Sequence, residues 1–260
     1  MGYLEIYFSG LLIIVMAMTL LWLVSVFFKN ASIVDPFWGL GFVIAGVFYF
    51  YNTEGLQIRK LIVLTLLIIW GLRLSIYLGL RNLGKGEDFR YQQFRKDYGE
   101  KRYWWISFFQ VFLLQGALMW LISAPFLGAQ FHSGGSGLNY FDYAAMLIWT
   151  IGFMFEAGGD YQLSKFKSDP NNKGKVLNTG FWKYTRHPNY FGDASVWWAF
   201  GLFSVATGSY WPLLSSLLMT LLIVKVSGVS LLERTLKNTK PQYKDYVEKT
   251  SAFFPWFPKK

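Results

Sequence analysis

Apolar residues run along the chain in long blocks separated by short polar stretches. An α-helix needs about 20 apolar residues to cross a hydrocarbon core of about 30 Å. On that ruler the chain predicts seven spans, at 4–28, 33–51, 61–80, 108–131, 140–158, 194–208 and 210–232. The sixth is short, and only Gly208-Ser209-Tyr210-Trp211-Pro212 separates it from the seventh, a turn sequence that predicts a tight helical hairpin. The N-terminal block lacks a basic flank and runs too long for a secretory leader, so it is read as the first span. The expected fold is all-α, an integral membrane bundle of seven transmembrane helices forming one polytopic domain over 1–260.

The polar stretches are unequal in charge. The loops at 29, 81–102 and 165–186 and the tail from 234 hold 21 of the 25 Lys and Arg residues, and the alternate loops hold only Arg59 and Lys60. By the positive-inside rule this places the N-terminus outside and the C-terminus in the cytoplasm, with the cytoplasmic face made of loops 81–107 and 159–193 and the tail 233–260. Composition agrees: 53% hydrophobic, 20% aromatic and 15% charged is too apolar for a soluble domain, where about a quarter of residues carry charge. With no cysteine, a disulfide scaffold and a thiolate metal site are excluded, and two histidines weigh against a dedicated zinc or iron site. The net charge of +10 fits anionic lipid headgroups, and no nucleic-acid module accompanies it.

The chemistry lies in the polar loops. Segment 81–107 mixes both signs with aromatics and reads as an ordered cytoplasmic loop, with Trp104 and Trp105 marking the return to the bilayer. In segment 156–193, Glu156 and Asp160 are four residues apart and share one helix face. Pro188 fits a helix start, which offers free N–H groups to an anion just after Arg186, and Asn189 and Asp193 follow one turn apart. An amide and a carboxylate so placed suit a carboxamide or a sugar, and the strip Lys165, Lys167, Lys173, Lys175 and Arg186 suits a phosphorylated ligand. Within the spans stand Asp35 and Arg73, and ionisable residues at such positions default to function.

Glu156…Asp160-Tyr161-Gln162, Asp169-Pro170-Asn171…Lys175, the run from Gly180 to Asp193, and the closing Tyr243…Tyr246…Thr250…Phe253-Phe254-Pro255 together resemble the bacterial branch of the steroid 5α-reductase family. The resemblance spans Asp35 to Pro255 and implies a seven-helix membrane enzyme that reduces the 4,5 double bond of a 3-oxo-Δ4 steroid with NADPH. By that resemblance Glu156, Asp160, Lys167, Asn171, Lys175, Tyr184, Arg186, His187, Asn189, Tyr190, Asp193, Glu233 and Arg234 fall at cofactor-binding positions. Glu156 stands where the animal enzymes have asparagine, Lys167 where they have arginine, and Asp193 where they have glutamate. Asp35 aligns with the family's carboxylate on helix two, which works with a helix-three tyrosine at the substrate ketone. That tyrosine's place falls close to Trp70, with Tyr77 two turns on, and is left unassigned. Asp35 and Arg73 are the expected catalytic residues, and Trp38 and Trp70 the expected walls of the substrate pocket.

The expected reaction is conjugate reduction of a lipophilic enone, with hydride delivered to the β-carbon while a donor binds the ketone oxygen. Substrate would enter from the bilayer and NADPH from the cytoplasm, in a monomer of the bacterial inner membrane. A rival follows from Arg186-His187-Pro188-Asn189-Tyr190, whose pattern the isoprenylcysteine carboxyl methyltransferases share: methyl transfer from S-adenosylmethionine. The dense cationic strip suits the phosphates of NADPH better than a sulfonium cofactor. A transporter is disfavoured by the lack of an internal repeat.

Overall fold

In a computed structural model, residues 1–227 and 243–259 are described, and among them every regular element is helical. The chain divides into two compact units, Met1–Leu138 with Thr207–Ser209, and Asn139–Ala206 with Tyr210–Lys260. Four helical segments are long and apolar enough to cross a membrane: Tyr3–Phe28, Ala31–Tyr51, Gln57–Asn82 and Glu100–Phe131. They fall on the first four expected spans.

The first unit begins with α1 (Tyr3–Phe28), α2 (Val34–Tyr51) and α3 (Gln57–Asn82). On α1 the residues Leu4, Phe8, Leu12, Met16 and Leu20, four apart, are all more than half exposed, while Ile6, Ile14 and Met18 are buried. An apolar stripe turned outward at helical spacing is the surface expected of a helix in lipid. Helices α2 and α3 meet through glycines, as membrane helices do where small residues let backbones approach. A Cβ on Gly39 would stand 2.3 Å from the Gly71 carbonyl oxygen. The Ser75 hydroxyl accepts from the Leu40 amide at 3.0 Å beside that contact. Arg59 and Lys60, in the first turn of α3, donate to the carbonyls of Ser133 and Thr53, so they tie loops down.

Two short helices, α4 (Phe89–Tyr98) and α5 (Glu100–Ser107), turn about Gly99, whose φ of 82° favours glycine. The chain then passes through a π-helical turn at Phe108–Leu113 into α6 (Leu114–Ile122) and, after Ser123, α7 (Ala124–Phe131). The expected fourth span is therefore a bent helix that begins earlier than 108. Tyr7 and Trp120 lock α1 to α6, with rings stacked at 4.5 Å and the indole N–H donating to the Tyr7 carbonyl at 2.8 Å.

The second unit is built on α8 (Tyr140–Ser168) and α9 (Pro188–Val205), followed by α10 (Leu213–Leu221) and, beyond the undescribed residues, α11 (Tyr243–Lys249). Asn139 and Asp142 form a capping box at the start of α8. This helix runs ten residues past the expected end at 158, and α9 starts at Pro188 rather than 194. Neither is among the four segments apolar enough to span, because Asp142, Glu156 and Asp160 on α8 and Asn189 and Asp193 on α9 dilute them. The three carboxylates of α8 are nonetheless buried. Helices α9 and α10 form the expected hairpin, sealed where the Ser216 hydroxyl donates to the Trp197 carbonyl at 2.8 Å and the Trp198 indole to Thr220 at 3.0 Å. Glu233 and Arg234 lie outside the described residues.

Candidate functional site

Polar side chains gather in each unit. In the second, glycines set the spacing between α8 and α9. A Cβ on Gly192 would stand 2.3 Å from the Glu156 amide nitrogen and 2.4 Å from the Gly152 carbonyl oxygen, and one on Gly159 would stand 3.1 Å from the Asn189 nitrogen. Helices so close bring Asp160 against Asn189, whose amide donates to the carboxylate at 3.0 Å. Glu156 and Asp160, one turn apart, are only 3% and 5% exposed, a costly arrangement for two carboxylates that the Asn189 donor relieves in part. The Asn189 carbonyl oxygen is buried and has no hydrogen-bond partner among the described residues. A buried acceptor left in this state fits the N–H of a carboxamide or the hydroxyl of a sugar. His187 precedes Pro188 at the start of α9 and stacks its ring on Tyr190 at 5.6 Å. Asp193 follows one turn after Asn189.

Beside this pair lies a cavity of about 510 Å³, lined by Lys167, Lys173, Lys175 and Arg186 and by the rings of Trp182, Tyr243 and Tyr246. Ligand pockets occupy this size range. The Trp182 indole donates to the Gly159 carbonyl at 3.1 Å, which joins the cavity wall to the residue before Asp160. Asn171 is exposed and gives its backbone amide to Asp169, while Asn172 faces the cavity.

Arg186 lines the cavity and is also held by the C-terminal segment. Its Nη1 donates to the carbonyls of Val247 at 3.0 Å and Thr250 at 2.5 Å, and its amide to Ser251 at 2.9 Å. Thr185 donates to the Phe253 carbonyl at 2.8 Å, the Trp256 amide donates to the Tyr184 carbonyl at 2.8 Å, and the Tyr184 ring meets Phe257 edge-on. Tyr246 donates to the Trp182 carbonyl, and burial pushes its phenol above the ordinary range. The closing motif from Tyr243 to Pro255 thus straps the turn ahead of α9. Lys167, Lys173 and Lys175 line the cavity beside Arg186.

In the first unit Asp35 is the centre of a network. Its Oδ2 accepts from Arg90 Nη2 at 2.7 Å and its Oδ1 from the Tyr91 hydroxyl at 2.6 Å. Gln115 of α6 stands near that hydroxyl and acts weakly to lower its pKa. Burial first, and then the Asp35 charge, raise the Tyr91 phenol far above its ordinary pKa. Helix α4 is pinned for this purpose by its flanks: Ser32 accepts from the Asp88 amide at 2.6 Å, and Glu87 accepts from the Ala31 amide at 2.8 Å and from Arg95 at 2.9 and 3.0 Å.

Arg73 holds its guanidinium 5.2 Å over the Tyr77 ring. Trp38 packs edge-on to Phe42, and Phe42 to the fully buried Trp70 and to Phe126, an aromatic cluster in which Trp70 is core. Sequence reasoning missed Arg90, Tyr91 and Gln115. The signals were present, in a charged aromatic loop and an isolated glutamine within an apolar span, but only the fold returns α4 to the start of α2.

The chain matches, over residues 21–250, a family described as protein of unknown function (DUF1295). An uncharacterised protein of Schizosaccharomyces pombe is 26% identical over 272 aligned positions, covering 95% of this chain and 78% of the yeast protein. No solved structure matches.

Proposed function

The chain belongs to the DUF1295 family, and from that premise we propose that it is an NADPH-dependent reductase of a lipophilic enone, with a 3-oxo-Δ4 steroid as the model substrate. The family includes steroid 5α-reductase-like proteins. The observation that carries the reading is the Tyr91–Asp35 hydrogen bond, a buried phenol aimed by a carboxylate, which is the apparatus a ketone oxygen requires. In this reading the chain crosses the inner membrane of a bacterium seven times, with the N-terminus outside and the lysine-rich loops in the cytoplasm.

The donor set of the second unit fits the cofactor. Asn189 and Asp160, with Glu156 and Asp193 nearby on the same helices, would take the carboxamide and ribose hydroxyls, and the unmet Asn189 acceptor is the observation that favours this. Lys167, Lys173 and Lys175 at the rim of the cavity would hold phosphate oxygens, and Trp182 would offer a ring face to the base. When bound, NADPH supplies a hydride to the β-carbon of the enone.

The remaining work falls to the first unit. The Tyr91 hydroxyl has one hydrogen to donate, and in this structure Asp35 accepts that hydrogen bond. A ketone oxygen would replace Asp35 as acceptor while Arg90 keeps the carboxylate in place. The donated hydrogen bond stabilises negative charge as the ketone becomes an enolate. The enolate then takes a proton from solvent at the α-carbon, so one enone, one NADPH and one proton give the saturated ketone and NADP. Arg73, against Tyr77, is assigned no step.

The test is NADPH oxidation by the purified full-length protein with a panel of 3-oxo-Δ4 steroids and other polycyclic enones. Turnover is expected with at least one. No turnover with any of them, together with saturable binding of S-adenosylmethionine and methyl transfer to a lipid carboxylate, would replace the reductase reading with the methyltransferase one.

A further inference from the structure

A second cavity, of about 490 Å³, lies in the first unit, apart from Asp35, Arg90 and Tyr91 but sharing Ala31 and Arg95 with the contacts that pin α4. It opens where α1 ends and α5 begins, lined by Lys29, Arg95, Glu100, Tyr103 and Trp104 among others. Both helices that meet there are ends of apolar, membrane-length segments, Tyr3–Phe28 and Glu100–Phe131. Phe27 and Phe28 are exposed at one end, and Trp22 stacks on Trp104 at 6.2 Å. Aromatic pairs at span ends mark the boundary between hydrocarbon and headgroups.

The polar groups in this cavity are fixed but incompletely used. Arg95 gives Nε and Nη2 to Glu87, and Nη2 also to the Lys29 carbonyl at 3.2 Å, so its guanidinium cannot swing. Its Nη1 has no hydrogen-bond partner among the described residues. Below the guanidinium, at 4.7 Å, lies the ring of Tyr103, which is 1% exposed and whose hydroxyl is buried without a partner. A buried hydroxyl in that state calls for an acceptor. Lys29 and Glu100 bring one free charge of each sign, and Glu87 offsets Arg95, so the cavity is close to neutral while its charges are separated.

We propose that this cavity binds the headgroup of a membrane phospholipid that carries a primary amine. The phosphate faces Lys29, Arg95 Nη1 and the Tyr103 hydroxyl, and the ammonium faces Glu100 beside the Trp104 ring, where a cation is also favoured. The acyl chains lie along the exposed apolar end of α1. Near-neutrality selects a zwitterion over a singly anionic lipid, and the carboxylate selects an ammonium that can donate hydrogen bonds over a quaternary one.

The experiment is native mass spectrometry of the full-length protein after exchange into mixed micelles with equal phosphatidylethanolamine, phosphatidylglycerol and phosphatidylcholine. One phosphatidylethanolamine is expected to stay bound at least tenfold more often than either other lipid. Tyr103→Phe, which removes one oxygen, and Glu100→Gln should each lower that retention several-fold, with thermal unfolding in lipid-free detergent unchanged. Lys29→Gln, at an exposed position, gives the same loss by a route that leaves the core intact. Equal retention of all three lipids, or retention indifferent to all three variants, would overturn the proposal. Release of the lipid by millimolar inorganic phosphate alone would overturn the lipid assignment in favour of a soluble phosphate.

Discussion

At the scale of single residues, Tyr91 is the most informative side chain. Removing one hydrogen-bond donor from a developing oxyanion costs roughly 10²–10³ in kcat. Tyr91→Phe should lose about that much, with the affinity for NADPH unchanged, and a variant of wild-type activity would remove Tyr91 from the mechanism. The same phenol shapes the response to alkali. Its folded pKa is raised above the unfolded value of about 10, so its contribution to stability is complete below pH of about 10 and is lost as pH climbs from there toward the folded pKa. Thermal unfolding followed between about pH 9 and 11.5 should fall more steeply for wild type than for Tyr91→Phe, and parallel curves would contradict it.

At the scale of elements, the α8–α9 crossing positions Asp160 and Asn189, and glycine makes it possible. A Cβ on Gly192 would meet backbone atoms of Glu156 and Gly152, which no rotamer change relieves. Gly192→Ala should therefore destabilise by about 1–3 kcal/mol, while Gly79→Ala, whose added methyl meets nothing within 4 Å, should be neutral or stabilising. Melting temperatures of the two variants in the same detergent distinguish them, and equal values would refute the close-packing argument. The sequence made much of this legible. Glu156, Asp160, Asn189 and Asp193 were picked out by spacing on helices that do form, and Pro188 marked the start of α9. Hydrophobic blocks placed α1 and α2 to within a residue, while α3 runs four residues earlier and two later than its apolar block because Arg59, Lys60 and Arg81 extend it. What spacing could not reach is contact between distant segments. The bonds from Arg186 Nη1 to the tail residues Val247 and Thr250 are of this kind, and no local pattern announces them. Asp35 and Tyr91 are 56 residues apart and are joined only because Gly99 and the Glu87–Arg95 pair fold α4 back.

At the scale of the whole molecule, the outward apolar stripe and the cavity lysines belong to different units. Stripes such as Leu4 to Leu20 turn outward to lipid, and the lysines collect at loops around the second unit's cavity. The reductase reading rests on one atom's path, from the nicotinamide to the β-carbon of an enone. Incubating the purified full-length protein with NADPH deuterated at C4 of the nicotinamide and an accepted 3-oxo-Δ4 steroid, then locating the label by mass spectrometry and NMR, follows that atom directly. A single deuterium at the β-carbon is the expected result. A product with no deuterium there, or an unaltered steroid beside a methylated lipid when S-adenosylmethionine is supplied, would contradict it.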